Sequence, residues 1–244
     1  MKINLLTYNI EHGLDYQLIK YDHIRHINLD NIAKVITESG ADIIGLNEVY
    51  NSSMKNPDRV EQAKKLARYT KIKNHIFAKA LTVGGADDYG NACLSKLDYK
   101  DYEVFSVPSP EIKREKTYYE DRCILKVNFI IDNNRILTCF ITHFGLAKVE
   151  QESMYKRLLE EVAKINNPFV IMGDFNLEDD NEYIIDFKNR FNIAIKSPTP
   201  TFTSLNPYKR IDYIFTSKDI IVTRAKVLNY VASDHLPVFA TIEV

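Results

Sequence analysis

Phe169-Val170-Ile171-Met172-Gly173-Asp174-Phe175-Asn176 is the stretch of this 244-residue chain whose reading decides the architecture. Four consecutive apolar residues, bounded by Pro168 upstream and Glu178-Asp179-Asp180 downstream, predict a short strand buried on both faces rather than a helix. Gly173 lets the backbone approach a neighbour, and Asp174 and Asn176, two apart on an extended chain, point to the same side. The pair offers a carboxylate and an amide to one point in space. An Asx-type turn that merely closes a strand accounts for the same residues, so the decision rests on the segments around it.

Upstream, the apolar positions Met154, Leu158, Val162 and Ile165 predict a helix over 150–165. Before it, two β-rich runs at 122–131 and 135–142 are joined by Asp132-Asn133-Asn134, a hairpin signal. Arg122 opens the first run and His143 closes the second. The charged, proline-containing segment 108–121 reads as a long surface loop. Downstream, Tyr183, Ile184 and Phe187 predict a short helix. The loop 196–208 then feeds Arg210-Ile211-Asp212-Tyr213-Ile214-Phe215, 220–228 reads as a strand, and Ser233-Asp234-His235 introduces the last strand, 236–244. At the start of the chain, residues 2–8 alternate into a first strand that ends at Asn9. Asp30 is positioned to cap a helix that stops at Gly40. The buried run 41–46 ends in Asn47-Glu48. A second amphipathic helix over 59–70 and a strand over 72–80 follow, and Asn91 starts the strand that holds Cys93. His23 and His26 fit solvated loop histidines and are set aside.

Composition narrows the classes. The charges nearly cancel, 32 basic against 33 acidic, so no polyanionic partner is required. Three cysteines inside strand-like runs, odd in number and widely spaced, argue for reduced core residues and against a disulfide framework or zinc cluster. Strand-like sequence from Ile3 leaves no room for a signal peptide, and no apolar run reaches membrane-span length. A cytoplasmic monomer folded as a single domain, 1–244, is expected. No repeat and no linker is visible, and strands outnumber helices.

Asn9, Glu48, His143, Asp174 with Asn176, Asp212, and Asp234 with His235 all fall at termini of apolar strands. These residues and their surroundings, Thr-Tyr-Asn-Ile (7–10), Leu-Asn-Glu (46–48), Tyr-Gly-Asn-Ala (89–92), Thr-His (142–143), Gly-Asp-Phe-Asn (173–176), Arg-Ile-Asp-Tyr-Ile (210–214) and Ser-Asp-His-Leu-Pro-Val (233–238), resemble the endonuclease/exonuclease/phosphatase superfamily of metal-dependent phosphohydrolases. They occur in that family's order and span nearly the whole chain. Gly-Asp-Phe-Asn with the terminal Ser-Asp-His is the specific part.

The resemblance implies an α+β fold: a four-layer α/β/β/α sandwich of two mostly antiparallel sheets with outer helices and the site at one end. It also implies roles. Glu48 resembles the principal Mg²⁺ ligand, with Asn9 beside it, and Asp234 would orient His235 or touch a second metal; an all-oxygen set suits Mg²⁺, with Mn²⁺ as substitute. Asp174 and Asn176 resemble the pair that positions and activates water, Asp212 orients a histidine, His143 binds phosphate or protonates the leaving group, and His235 is the rival base or a cationic stabiliser. Asn91 and Arg122, with Asn9, are expected on the substrate.

The expected activity is Mg²⁺-dependent hydrolysis of a phosphate ester, either a phosphodiester or a small or lipid phosphoester. A DNA nuclease of the repair type is the alternative, carried by a patch assembled from Lys71, Lys73, Lys113, Arg114 and Lys116. A catalytically dead binding module is a third reading, and it conflicts with the completeness of the matched positions.

Overall fold

The computed structural model describes residues 1–16, 26–52 and 60–244. Within them two chain segments share one plan. β1 (Lys2–Asn9) crosses through α1 (Leu29–Ser39) to the parallel strand β2 (Ile43–Asn51), and β7 (Ile136–His143) crosses through α3 (Lys148–Val162) to the parallel strand β8 (Phe169–Asp174). Every other strand pairing is antiparallel. After β2 come α2 (Gln62–Thr70), β3 (Asn74–Val83), β4 (Asp87–Ser95), β5 (Tyr99–Val107) and β6 (Arg122–Ile130). After β8 come α4 (Glu182–Arg190), β9 (Asn192–Ile193), β10 (Asp212–Thr216), β11 (Ile221–Val227) and β12 (Val238–Glu243). One six-stranded sheet runs β11-β12-β1-β2-β4-β3 and the other β5-β6-β7-β8-β10-β9.

Side-chain alternation turns these sheets into layers. In β1, Leu5, with its neighbour Ile43 of β2, faces the other sheet, where it joins Val127, Ile141 and Met172, while Leu6 and Tyr8 face Ile32, Ile36 and Leu66 of the helices α1 and α2. On the far side Phe140, Ile171 and Phe215 meet Met154, Leu158 and Phe187 of α3 and α4. The three apolar seams separate four layers, and because apolar burial contributes roughly 25 cal/mol per Å² they fix the order helix, sheet, sheet, helix. Cys93, Cys123 and Cys139 are free thiols buried in this core. Close contact between β7 and β8 explains Gly173: at φ +152° it lies so near Thr142 that a Cβ would stand 1.8 Å from that residue's carbonyl oxygen.

Local readings are corrected in several places. Asn28, not Asp30, caps α1, its side chain accepting from Asn31 N, while Gly40 closes the helix in the left-handed conformation as expected. β4 begins at Asp87, so Asn91 lies in mid-strand. β2 runs past Glu48 to Asn51, carrying Glu48 at φ +59° where the register to β4 shifts between Leu46 and Val49. A bulge of that kind re-aims a side chain without ending the strand. β5 is unannounced by apolar patterning because it is an edge strand exposed along most of its length. Arg59, the expected start of the second helix, and His23 lie outside the described residues; His26 is exposed.

Candidate active site

Strand direction does the first work. The two parallel pairs place the C-terminal ends of β1, β2, β7 and β8 at one end of the sandwich, with Asn9 opposite Asn47 in one sheet and His143 opposite Asp174 in the other. β10 runs back from that end, so Asp212 also sits opposite Asp174. His235, just before β12, is bridged to Phe202. Residues from six strands therefore meet.

Asp174 is at the centre. Its Oδ1 accepts from the backbone N–H of Asn176 at 2.8 Å, and Asn176 takes φ +50°. The Asx turn is thus real, and it corrects the reading of 174 and 176 as an extended pair. The turn engages one oxygen and leaves the other for chemistry. Oδ2 accepts from Asn9 Nδ2 at 3.0 Å and lies 3.5 Å from His143 Nε2 and 3.6 Å from His235 Nε2. Asn176 Nδ2 donates to Phe144 O at 3.0 Å and approaches His143 Nε2 at 3.2 Å.

The two histidines have opposite surroundings. His235 Nδ1 meets Asp212 Oδ2 at 2.8 Å, and Asp234 Oδ1 lies 4.0 Å from Nε2. Burial opposes its charge, but Asp212 and Asp174 outweigh burial and hold the imidazole well above its ordinary range. His143 is kept well below that range by burial, by the Arg122 guanidinium and by His235. Arg122 Nη1 donates to His143 Nδ1 at 3.1 Å while Nη2 pairs with Glu120 at 3.0 Å. Arg122 Nη1 can only donate, so its contact fits a neutral ring with Nδ1 as acceptor and the proton on Nε2 facing Asp174, whereas the Asn176 amide nitrogen 3.2 Å from Nε2 fits the other tautomer. Asp174 itself is pushed up to about 7 by burial, with His235 pulling the other way and Asp212 adding to the rise.

Glu48 stands on the other flank of Asp174. Asn9 Nδ2 bridges the two carboxylates, 3.0 Å from Glu48 Oε1 and 3.0 Å from Asp174 Oδ2, and the Asn9 Oδ1 accepts from Glu11 N at 3.0 Å. Asn9 is thus a donor between two acids, whereas the expected metal ligand would offer its oxygen. Burial raises Asp234, and the charge of Glu48 adds to that rise. The carboxylates of Glu48, Asp174, Asp212 and Asp234 crowd the site, with His235 beside Asp212 and Asp174 and with His12 Nδ1 4.0 Å from Glu48 Oε2. The ligand atoms of Asp174, Asp212 and His235 lie within 4.8 Å of one another. Those three largely satisfy each other through the His235 hydrogen bond, whereas Glu48 and Asp234 meet weaker partners, His12 Nδ1 4.0 Å from Glu48 and the Ser233 hydroxyl 3.1 Å from Asp234. Hard oxygen donors crowded in this way fit a divalent cation such as Mg²⁺.

Asn91 does not face the cleft. Its Oδ1 accepts from Asn47 Nδ2 at 2.8 Å and its Nδ2 donates to Cys123 O at 2.9 Å. Asn47, which carried no role in the sequence reading, also donates to Thr142 O at 2.9 Å and accepts from Asp174 N at 3.0 Å. It ties the two sheets together directly beneath Asp174. Its only signal in the sequence is adjacency to Glu48. Tyr89 likewise escaped notice: half-buried and hydrogen-bonded to Glu48, its hydroxyl is held well above the ordinary range by its loss of solvent and then by that carboxylate.

A groove of about 1070 Å³ opens from Asn176, Phe202 and His235 along the N-terminal ends of α3 and α4. Glu115, Glu152, Glu178, Asp180 and Glu182 line it against Lys148 and Lys209. The expected basic patch does not assemble. Lys71 and Lys73 precede β3, whose first residue Asn74 pairs with Ser95 and, through it, with the start of β2 at Ile43, the end remote from Glu48. Lys73 is paired with Asp98 there at 2.5 Å.

The family model described as "Endonuclease/Exonuclease/phosphatase family" matches residues 6–235. No curated protein matches the sequence. Among solved structures, the chain is similar to an endonuclease/exonuclease/phosphatase from Beutenbergia cavernae DSM 12333, with TM-score 0.82 and 20% identity over 100% of this chain and 72% of that one. It is similar to the mannosyl-6-phosphatase Bt3783 of Bacteroides thetaiotaomicron VPI-5482, with TM-score 0.77 and 17% identity over 99% of this chain and 100% of that one. The human Nocturnin catalytic domain with bound sulfate anion aligns with TM-score 0.71 and 18% identity over 99% of this chain and 93% of that one. No helix among the described residues is long and apolar enough to cross a membrane.

Proposed function

This chain belongs to the endonuclease/exonuclease/phosphatase family, and from that premise we propose that it is a Mg²⁺-dependent hydrolase of a phosphodiester or a small or lipid phosphoester, acting by in-line attack of water on phosphorus. The observation that carries the proposal is the Asp174 carboxylate flanked by two imidazoles of opposite character, His143 at 3.5 Å and His235 at 3.6 Å. Asp174 Oδ2, kept basic near neutral pH by burial, accepts a proton from the attacking water. His235, held cationic by Asp212, faces the charge that develops on the phosphoryl oxygens. His143, neutral with its proton on Nε2, donates to a phosphate oxygen or to the leaving group. Arg122 favours that tautomer and adds positive charge behind it. Asn176 helps to place the phosphate beside His143. Glu48 and Asp234 would hold the cation, with the Asn9 amide bridging Glu48 and Asp174 beside it; when bound, the cation supplies charge neutralisation at a non-bridging oxygen.

The lining of the groove favours a small substrate over DNA. Five carboxylates against two lysines repel the further phosphates of a polynucleotide, and the phosphate backbone is what dominates nucleic-acid affinity. A substrate whose remainder is neutral or cationic meets no such penalty. A panel of bis-p-nitrophenyl phosphate, p-nitrophenyl phosphate, abasic-site DNA, sphingomyelin and inositol phosphates, each with Mg²⁺ or EDTA, tests the reading. Mg²⁺-dependent turnover of a small ester is expected. Turnover of the DNA alone would replace the reading with a nuclease, and no turnover of any of them would leave a binding module.

A further inference from the structure

Arg210 is 7% exposed, and its guanidinium is held by an ion pair and by backbone carbonyls together. Its Nη1 donates to the carbonyls of Ile195 at 2.8 Å and Ser197 at 2.7 Å, its Nη2 pairs with Asp179, and its guanidinium lies 5.2 Å from the centre of the Tyr213 ring. One side chain thus pins the segment leading to Phe202 and the segment after Asn176, both of which wall the groove. Its Nε, however, has no hydrogen-bond partner among the described residues. Two residues on, Asp212 is 2% exposed and gives Oδ2 to His235, and its Oδ1 has no partner among the described residues either. A buried donor and a buried acceptor left unmatched each carry a desolvation penalty.

Both residues line the same small cavity, together with Thr201. It offers about 10 Å³ to the centre of a water molecule, which is room for one. The chemistry matches in sense as well as size. Arg210 Nε–H can only donate, Asp212 Oδ1 can only accept, and a water both accepts and donates. The Thr201 hydroxyl, whose oxygen already accepts from Ile211 N at 3.3 Å and Asp212 N at 3.4 Å, has its own hydrogen free as a third partner.

We propose that this cavity is a binding site for a single water that joins Arg210 Nε to Asp212 Oδ1, and that Arg210 is a positioning residue for the Asp212 and His235 pair. The inference rests on the proposed role of that pair in phosphate-ester hydrolysis. A carboxylate held at both oxygens cannot swing about its Cβ–Cγ bond, so the 2.8 Å bond to His235 Nδ1 keeps its direction while His235 faces the phosphate. Arg210 thereby couples the groove walls, which grip the substrate, to the imidazole that serves it.

Arg210→Lys is the informative variant. Lysine keeps the charge and places its Cε where arginine has Nε, so the donor to the water is lost while a cation remains for the carbonyls and Asp179. A crystal structure of the wild-type protein at a resolution that shows ordered water is expected to hold one water bonded to both Arg210 Nε and Asp212 Oδ1. In the proton NMR spectrum, the low-field resonance of the His235 Nδ1–H to Asp212 bond is expected to shift or broaden away in Arg210→Lys. kcat on the best substrate of the panel is expected to fall about tenfold with KM within twofold. A dry cavity, a water that touches only one of the two atoms, or an unchanged low-field resonance would overturn the proposal. A fall in melting temperature with kcat unchanged would make Arg210 a purely structural clasp and would overturn it too. If the variant does not fold, the wild-type crystal structure decides alone. The crystal and NMR readouts need no substrate, so they stand or fall separately from the assigned activity.

Discussion

Replacing Asp174 by asparagine separates its two oxygens. The Oδ1 bond to Asn176 N, 2.8 Å long, is one that an asparagine oxygen makes equally well, so the Asx turn and the strand end survive. The other terminus becomes an NH₂ group facing the NH₂ of Asn9, formerly a 3.0 Å donor, and two imidazoles at 3.5 and 3.6 Å. Basicity is lost and one carboxylate is removed from beside His235. Loss of a general base lowers turnover by roughly 10²–10⁴-fold, or about 3–5 kcal/mol in the barrier. The folded state gives up a buried charge but leaves the Asn9 amide facing a second donor, so its stability in urea should fall by about 1–3 kcal/mol. The pH profile supplies the sign. Because the carboxyl is pushed up to about 7, wild-type kcat should fall as pH drops through that region and the base becomes protonated. The acidic limb should vanish in Asp174→Asn, whereas an alkaline limb set by His235, which is raised by Asp212 and Asp174, should remain and move to lower pH as one carboxylate is lost. The assay is turnover of the best panel ester at saturating substrate and Mg²⁺ from pH 5 to 9. Wild-type turnover in Asp174→Asn, or an acidic limb retained in it, would refute the assignment of Asp174 as base.

Glu48→Gln keeps shape and removes one formal charge, so Mg²⁺ affinity by calorimetry should drop about tenfold or more with the fold intact; unchanged affinity would remove Glu48 from the cation site. Apparent affinity for the preferred ester should change little between low and physiological salt, since few cations contact a single phosphate, and a steep decline of orders of magnitude would point instead to a polynucleotide. Gly173→Ala should destabilise the protein by about 3 kcal/mol or more in urea titration, because the new Cβ would overlap the Thr142 carbonyl oxygen at 1.8 Å; wild-type stability would mean that β7 and β8 are less tightly apposed than described.

Much of the molecule was legible one strand at a time. The run 169–172, the hairpin before it and the helices around Leu158 and Phe187 carry their apolar residues at the spacing their burial requires, so local pattern and tertiary environment agree. Asn9, His143, Asp174, Asp212 and His235 were visible because polar groups at the ends of apolar runs interrupt that pattern. Where the pattern is weak the reading failed: β5 is an exposed edge, and Glu48 sits in a bulge whose left-handed backbone no composition announces. Sequence alone determined which residues are core and which strand ends carry polar groups. Only the tertiary structure decided who meets whom. The two sheets repeat one strand order without any repeat in the sequence, since a plan is conserved by packing and topology while side chains need only be apolar and of suitable size. That packing brings Asn47 under Asp174 and Arg122 against His143, and separates Lys71 and Lys73 from the basic residues of the 108–121 loop. Electrostatic character follows from such contacts, over a few ångströms and through buried surroundings. Two histidines of one chain therefore acquire opposite charge states that neither could have had as a residue in a sequence.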